Sequence, residues 1–119
     1  MHHVTAETEE HLRLARQALD DYRLMVPRED SAYYHYQQVL QRDPYNAAAL
    51  QGLTDIAERY ADLAEKELDQ FHYPTARRYL QRGLTVQPGN QRLLALSDQT
   101  DALKDSPKRL IGKLKSLFE

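Results

Sequence analysis

The sequence predicts an all-α protein of five or six helices, built as antiparallel helix pairs stacked side by side. Three observations lead there. Apolar residues recur at spacings of three and four along most of the chain, which is the signature of amphipathic helices. Prolines at 27, 44, 74, 88 and 107, several with a capping side chain nearby, cut that pattern into segments. A stretch of 21 residues also recurs at an offset of 44. Nothing alternates with period two and β-branched residues are few, so no strand is predicted.

The first helix is predicted over about residues 5–25, with Leu12, Ala15, Leu19 and Tyr22 on one face. Pro27 is its terminator, because the residue before a proline is pushed off helical dihedrals. Asp30 or Ser31 caps a second helix by accepting from a free backbone N–H. Ala32, Tyr36, Val39 and Leu40 form its stripe, and it stops before Pro44. Asn46 caps a third helix with Leu50, Leu53, Ile56, Tyr60, Leu63 and Leu68 facing inward. Running to about residue 70, it is roughly 36 Å long at ~1.5 Å per residue. His72-Tyr73-Pro74 breaks it, and Pro74 suits the first turn of a fourth helix carrying Ala76, Tyr79, Leu80 and Leu84. After the Pro88-Gly89 turn, Asn90 caps a fifth helix with Leu93, Leu94, Leu96 and Leu103. Ser106-Pro107 restarts the chain as a short sixth helix.

The repeat aligns residues 32–52 with 76–96 without gaps. Ala32 matches Ala76, Gln37 Gln81, Leu40 Leu84, Pro44 Pro88, Asn46 Asn90 and Leu50 Leu94. These identities fall where a helix–turn–helix unit needs a small packing residue, a last core leucine, a breaker, a cap and a first core leucine. Such a repeat is one supersecondary unit stacked on its copy.

Ala32-x-x-x-Tyr36-x-x-Val39-Leu40-x-x-x-Pro44 resembles the second helix of a tetratricopeptide repeat (TPR). Ala76-x-x-x-Leu80-x-x-Gly83-Leu84-x-x-x-Pro88 is similar, and Leu50-x-x-Leu53 resembles the start of a first helix. The resemblance covers about residues 5–100. It departs from the family in a period of 44 rather than 34, with the excess in the third helix, and in Gly52 preceding Leu53. It implies a TPR-like right-handed array whose first helices line a groove for a protein or peptide partner. Extended units of this kind resemble accessory segments of larger bacterial signalling and membrane-associated proteins.

Composition narrows the function classes. The 119 residues hold one domain, with a TPR-like body over 1–105 and a distinct segment over 106–119. No cysteine is present, which excludes thiol redox chemistry and thiolate metal sites. The net charge of −2 offers no general attraction to nucleic acid. No apolar run reaches the ~18 residues of a membrane span, and no basic-then-apolar leader opens the chain. A cytoplasmic location is therefore expected. The histidines at 2, 3, 11, 35 and 72 have no metal-binding spacing, and the four glycines form no phosphate loop. Without a nucleophile–base arrangement, no enzymatic activity and no cofactor are expected.

The candidate partner-binding residues are polar positions on the two long helices. They are Arg13 and Arg16 on the first, and Gln51, Asp55, Arg59 and Asp62 on the third. An arginine there would grip a carboxylate or carbonyl with its planar fork. The plainer reading is a solvated face with i, i+4 pairs such as Asp55–Arg59. Tyr33, Tyr34 and Tyr36 cluster; Tyr36 reads as core, and the other two as seam residues or aromatic anchors.

Charge divides the chain. Residues 1–103 carry 11 basic and 16 acidic side chains, and residues 104–119 carry five and two. The end is basic and amphipathic, with Lys108, Arg109, Lys113, Lys115 and Phe118 on its surface. It reads either as a cap over the flank of the stack or as an attachment helix. The attachment would be to an anionic membrane, a partner groove or a second copy of the chain.

Overall fold

The structure is a computed structural model and describes residues 5–103. The segment 106–119, with its surface residues, lies outside the described residues. Four helices run Ala6–Asp20 (α1), Ala32–Arg42 (α2), Ala47–Asp69 (α3) and Tyr73–Val86 (α4). A fifth, α5, covers 91–103. The described residues hold no strand.

The helix starts follow from side-chain caps. Thr5, Ser31 and Asn46 each accept from the backbone N–H three residues on. Asn90 does the same for Leu93 at 2.9 Å, so both repeat-matched asparagines are caps. Pro74 sits in the first turn of α4, which has no side-chain cap.

One helix end differs from the sequence pattern, while α3 stops at Asp69, close to the expected residue 70. α1 stops at Asp20, well before Pro27. Tyr22 takes φ 58°, and its N–H and that of Arg23 bond back to the carbonyls of Leu19 and Ala18. That double closure is a Schellman motif. α3 ends identically, with Phe71 at φ 62° and bonds from Phe71 and His72 to Leu68 and Glu67. Both left-handed positions carry aromatic residues where glycine is the usual occupant. Tyr22 is therefore not the last member of the first stripe, as predicted, but a half-exposed residue beyond the helix.

Residues 21–31 fold back onto the start of α2. Ala32 and Tyr33 donate their N–H groups to the carbonyls of Arg23 and Leu24, and Leu24 is buried. Arg23 holds the loop closed by bonding the carbonyl and the carboxylate of Asp30.

Two apolar clusters form the core. The first joins α1, the loop, α2 and the near half of α3 around Leu19, Ala32, Tyr36, Val39, Ile56 and Tyr60. The second joins the far half of α3 to α4 and α5 around Ala61, Ala64, Leu68, Leu80, Leu93 and Leu96. α3 contributes to both, and alanines on its buried face let its neighbours approach closely. Close approach is tightest at Gly52 and Gly83. A Cβ at Gly52 would strike the Tyr36 ring, and one at Gly83 would meet Leu93 and Tyr60. Leu50 and Leu94, the matched leucines expected in the core, are instead 44% and 39% exposed.

Candidate interaction cleft

The side-by-side approach of α1 and α3 opens a cleft of about 240 Å³. Leu12 and Arg16 of α1 form one wall, and Ala48, Gln51 and Asp55 of α3 form the other. The buried ring of Tyr36, from α2, supplies the floor. Three of the six predicted partner-binding residues, Arg16, Gln51 and Asp55, thus meet around one opening. The periodicity explains this: Leu12 and Arg16 are one turn apart, as are Gln51 and Asp55, so each pair stacks on one face.

The polar groups of the cleft are ordered. Gln51 Nε2 donates to Asp55 Oδ1 at 3.1 Å. The expected Asp55–Arg59 pair does not form, because Arg59 turns instead to Tyr22. Burial pushes the Tyr36 phenol up; the Arg16 charge opposes that shift, and Asp55 and Asp20 reinforce it. The opening therefore offers one guanidinium without a carboxylate within ion-pair distance among the described residues, beside an amide and a carboxylate. That set suits a peptide backbone better than a single charge.

The other predicted residues go elsewhere. Arg13 lies on the outer face of α1 and makes a two-point bond to the Glu10 carboxylate. Arg59 donates to Tyr22 Oη at 3.3 Å and lies 5.3 Å from the ring centre. Asp62 accepts from Arg92 at 2.7 Å.

Arg92 is the largest ionic feature that sequence reading missed. Its guanidinium reaches Glu58, Asp62 and Glu65, three carboxylates along one face of α3. Those bonds raise its pKa, and the bonds from Arg92 and then Asn90 hold the Glu58 carboxyl below its usual range. A signal was present: carboxylates at 58, 62 and 65 share a face and call for a cation, and Arg92 stands just inside the Asn90 cap.

A second polar cluster links α1 to α2. Buried His35 bonds Asp30 Oδ1 through Nε2 at 3.0 Å, and its Nδ1 lies 3.0 Å from His11 Nδ1. Asp30 accepts, so a neutral His35 carries its proton on Nε2 and accepts from His11 Nδ1–H. Tyr34 packs edge-on against both rings. The histidines are 24 positions apart, and no spacing rule pairs them. Among the described residues, no group of three or more His, Asp or Glu side chains is placed to hold a metal ion.

Compared with models of known protein families, with curated proteins and with solved structures, the chain matches none.

Proposed function

We propose that this chain is a non-catalytic protein–protein interaction module whose helix pairs stack in the TPR manner and whose partner, a peptide or protein segment, enters the cleft between α1 and α3. The observation that carries the reading is the convergence of Arg16, Gln51 and Asp55 over Tyr36.

The contacts support stacked antiparallel pairs. The α3–α4 turn spans only 70–72, and near the other end of α4, Gln87 Nε2 donates to Thr54 Oγ1. A helix that starts beside residue 69 and finishes beside residue 54 runs counter to α3. α5 starts beside Glu58 through Asn90 and Arg92, and its Leu96 and Gln99 reach Leu68 and Asp69. It therefore lies along α3 in the same direction, as successive first helices do in a TPR array. Arg16 and Gln51 then fall on the face that such arrays use for partners. Against the family stands the length of α3, 23 residues.

A selection from a random peptide library displayed on phage tests the reading. The full chain is the target, and Arg16→Glu, an exposed position that keeps the helix, is the counter-target. Peptides that enrich on the wild type and lose affinity to Arg16→Glu or Asp55→Lys support the cleft. No enrichment, or enrichment indifferent to both changes, would sink it.

A further inference from the structure

A second surface lies away from the cleft, where residues 22–26 meet α3 and α4. An open groove of about 390 Å³ is walled by Tyr22 and Val26 from the loop, Leu63 from α3, and Tyr79 and Arg82 from α4. It continues along α4 into a smaller trough of about 210 Å³ that shares Tyr79 and Arg82 and adds Arg78.

Two independent features set this groove apart. The first is charge. From His72 to Ser97 the chain has four arginines and no acidic residue, although the body as a whole is acidic. Arg92 is consumed by Glu58, Asp62 and Glu65. Arg78 and Arg82 meet no carboxylate among the described residues: Arg78 donates to Thr75 Oγ1, and Arg82 stands beside the Tyr60 phenol. The second is an aromatic ring held at the groove's edge. Tyr22 holds an aromatic ring half in solvent from a left-handed position that disfavours any β-carbon. Phe71 shares that backbone geometry at the end of α3; what distinguishes Tyr22 is that its side chain lines the groove. Arg59 fixes that ring from behind by its bond to the hydroxyl.

We infer that this groove binds an acidic protein segment with an apolar or aromatic anchor. The anchor would enter between Tyr22, Leu63 and Tyr79, and flanking carboxylates would pair with Arg78 and Arg82. Tyrosine and arginine are the residue types that carry most binding energy at interfaces, and a guanidinium takes a carboxylate through two parallel bonds. A nucleic acid would also meet arginine and tyrosine. The groove, however, sets two arginines beside an apolar wall of Val26 and Leu63, which suits an anchor side chain with one or two flanking carboxylates rather than a run of phosphates, so the protein segment is favoured.

Amide chemical-shift titration of the full chain tests the inference. The probe is a short synthetic peptide of Asp and Glu interrupted by Leu and Phe. Controls replace its acids by Lys or its anchors by Ser, and an oligothymidylate stands for nucleic acid. The expected result is shifts at Tyr22, Leu63 and Tyr79, with weakening of about tenfold or more in Arg78→Glu/Arg82→Glu. Tyr22→Gly relieves the left-handed backbone, so it is expected to fold and melt no lower than wild type while affinity falls about tenfold. Arg16→Glu leaves this binding unchanged, which separates the groove from the cleft. The inference is overturned by no binding of the acidic peptide, by equal binding of the Lys or Ser controls, or by preference for the oligonucleotide. Insensitivity to the arginine and tyrosine variants, or loss through Arg16→Glu, overturns it too.

Discussion

Gly52→Ala is expected to destabilise the fold although alanine is the better helix former. Gly52 is buried inside α3, where exchanging glycine for alanine alone would stabilise by ~1 kcal/mol. The structure opposes this. The three atoms nearest a β-carbon there are Cζ, Cε1 and Cε2 of Tyr36, all closer than any real contact allows. They belong to a rigid ring, so the ring must move as a body. Tyr36 is 4% exposed within the first core cluster. Driving an aromatic ring from such a seat costs about 3–5 kcal/mol. Set against the helix term, the net loss is about 2–4 kcal/mol, or roughly 10–25 °C in Tm. Thermal and urea denaturation followed by circular dichroism read it. A double-mutant cycle supplies the sharper test. With Tyr36→Ala already present, the obstruction is gone and Gly52→Ala should turn stabilising by up to about 1 kcal/mol. A wild-type-background Gly52→Ala that is neutral or stabilising would refute the packing argument. So would a cycle without a change of sign.

Four further outcomes follow from the same geometry. Phe71→Gly removes a β-carbon from a left-handed position at a residue 75% exposed, and should stabilise by about 0.5–1 kcal/mol in urea unfolding. Arg92→Ala leaves Glu58, Asp62 and Glu65 facing one another. The groups are more than one-third exposed, so the loss is about 1 kcal/mol at low ionic strength, shrinking as salt is added to the urea series. Bonds from Arg92 to Glu58, from His35 to Asp30 and from Arg42 to Glu7 hold these carboxyls below their usual range. The unfolded chain then binds protons first, so this stabilisation is present above about pH 4 and lost as pH falls through the folded values; Glu58→Gln should flatten the acid limb of the stability curve. In neutral His35 the proton belongs on Nε2, with His11 Nδ1–H as donor; long-range nitrogen–proton correlation spectra report the tautomers, and the reverse assignment would contradict the cluster.

The sequence made the helices legible because their boundaries depend on local chemistry. Ser31, Asn46 and Asn90 cap where hydrogen-bonding side chains precede an apolar stripe, and Pro74 starts α4. The end of α1 was not legible. Its stop is a left-handed Tyr22 rather than a glycine, and a downstream proline gave a false terminator. Leu50 and Leu94 repeat faithfully yet lie half in solvent, because helical spacing tells which residues share a face and not what covers it. Three candidate residues reached one cleft because they fall on consecutive turns of two helices. Arg92 with its three carboxylates and His11 with His35 join positions 24 to 34 apart. The face shared by 58, 62 and 65 calls for a cation, but no local pattern says which one answers, or pairs the two histidines.

The length of α3 connects the two surfaces. Ile56 and Tyr60 belong to the first core cluster, while Ala57, Ala61, Ala64 and Leu68 belong to the second. One uninterrupted helix is therefore built into both halves, and neither cluster can lose its packing without loosening the helix that bounds the other. The cleft takes its wall from residues 48–55 of that helix, and the Tyr22–Arg82 groove takes part of its floor from Tyr60 and Leu63. Arg59, between them, ties the loop at Tyr22 to α3. The turns of α3 beyond Tyr60 lie along α4 and α5. They carry α3 past the end of α1, so the loop after α1 closes against the side of α3 rather than its tip. Tyr22 therefore faces Leu63 of α3 and Tyr79 of α4 across the groove.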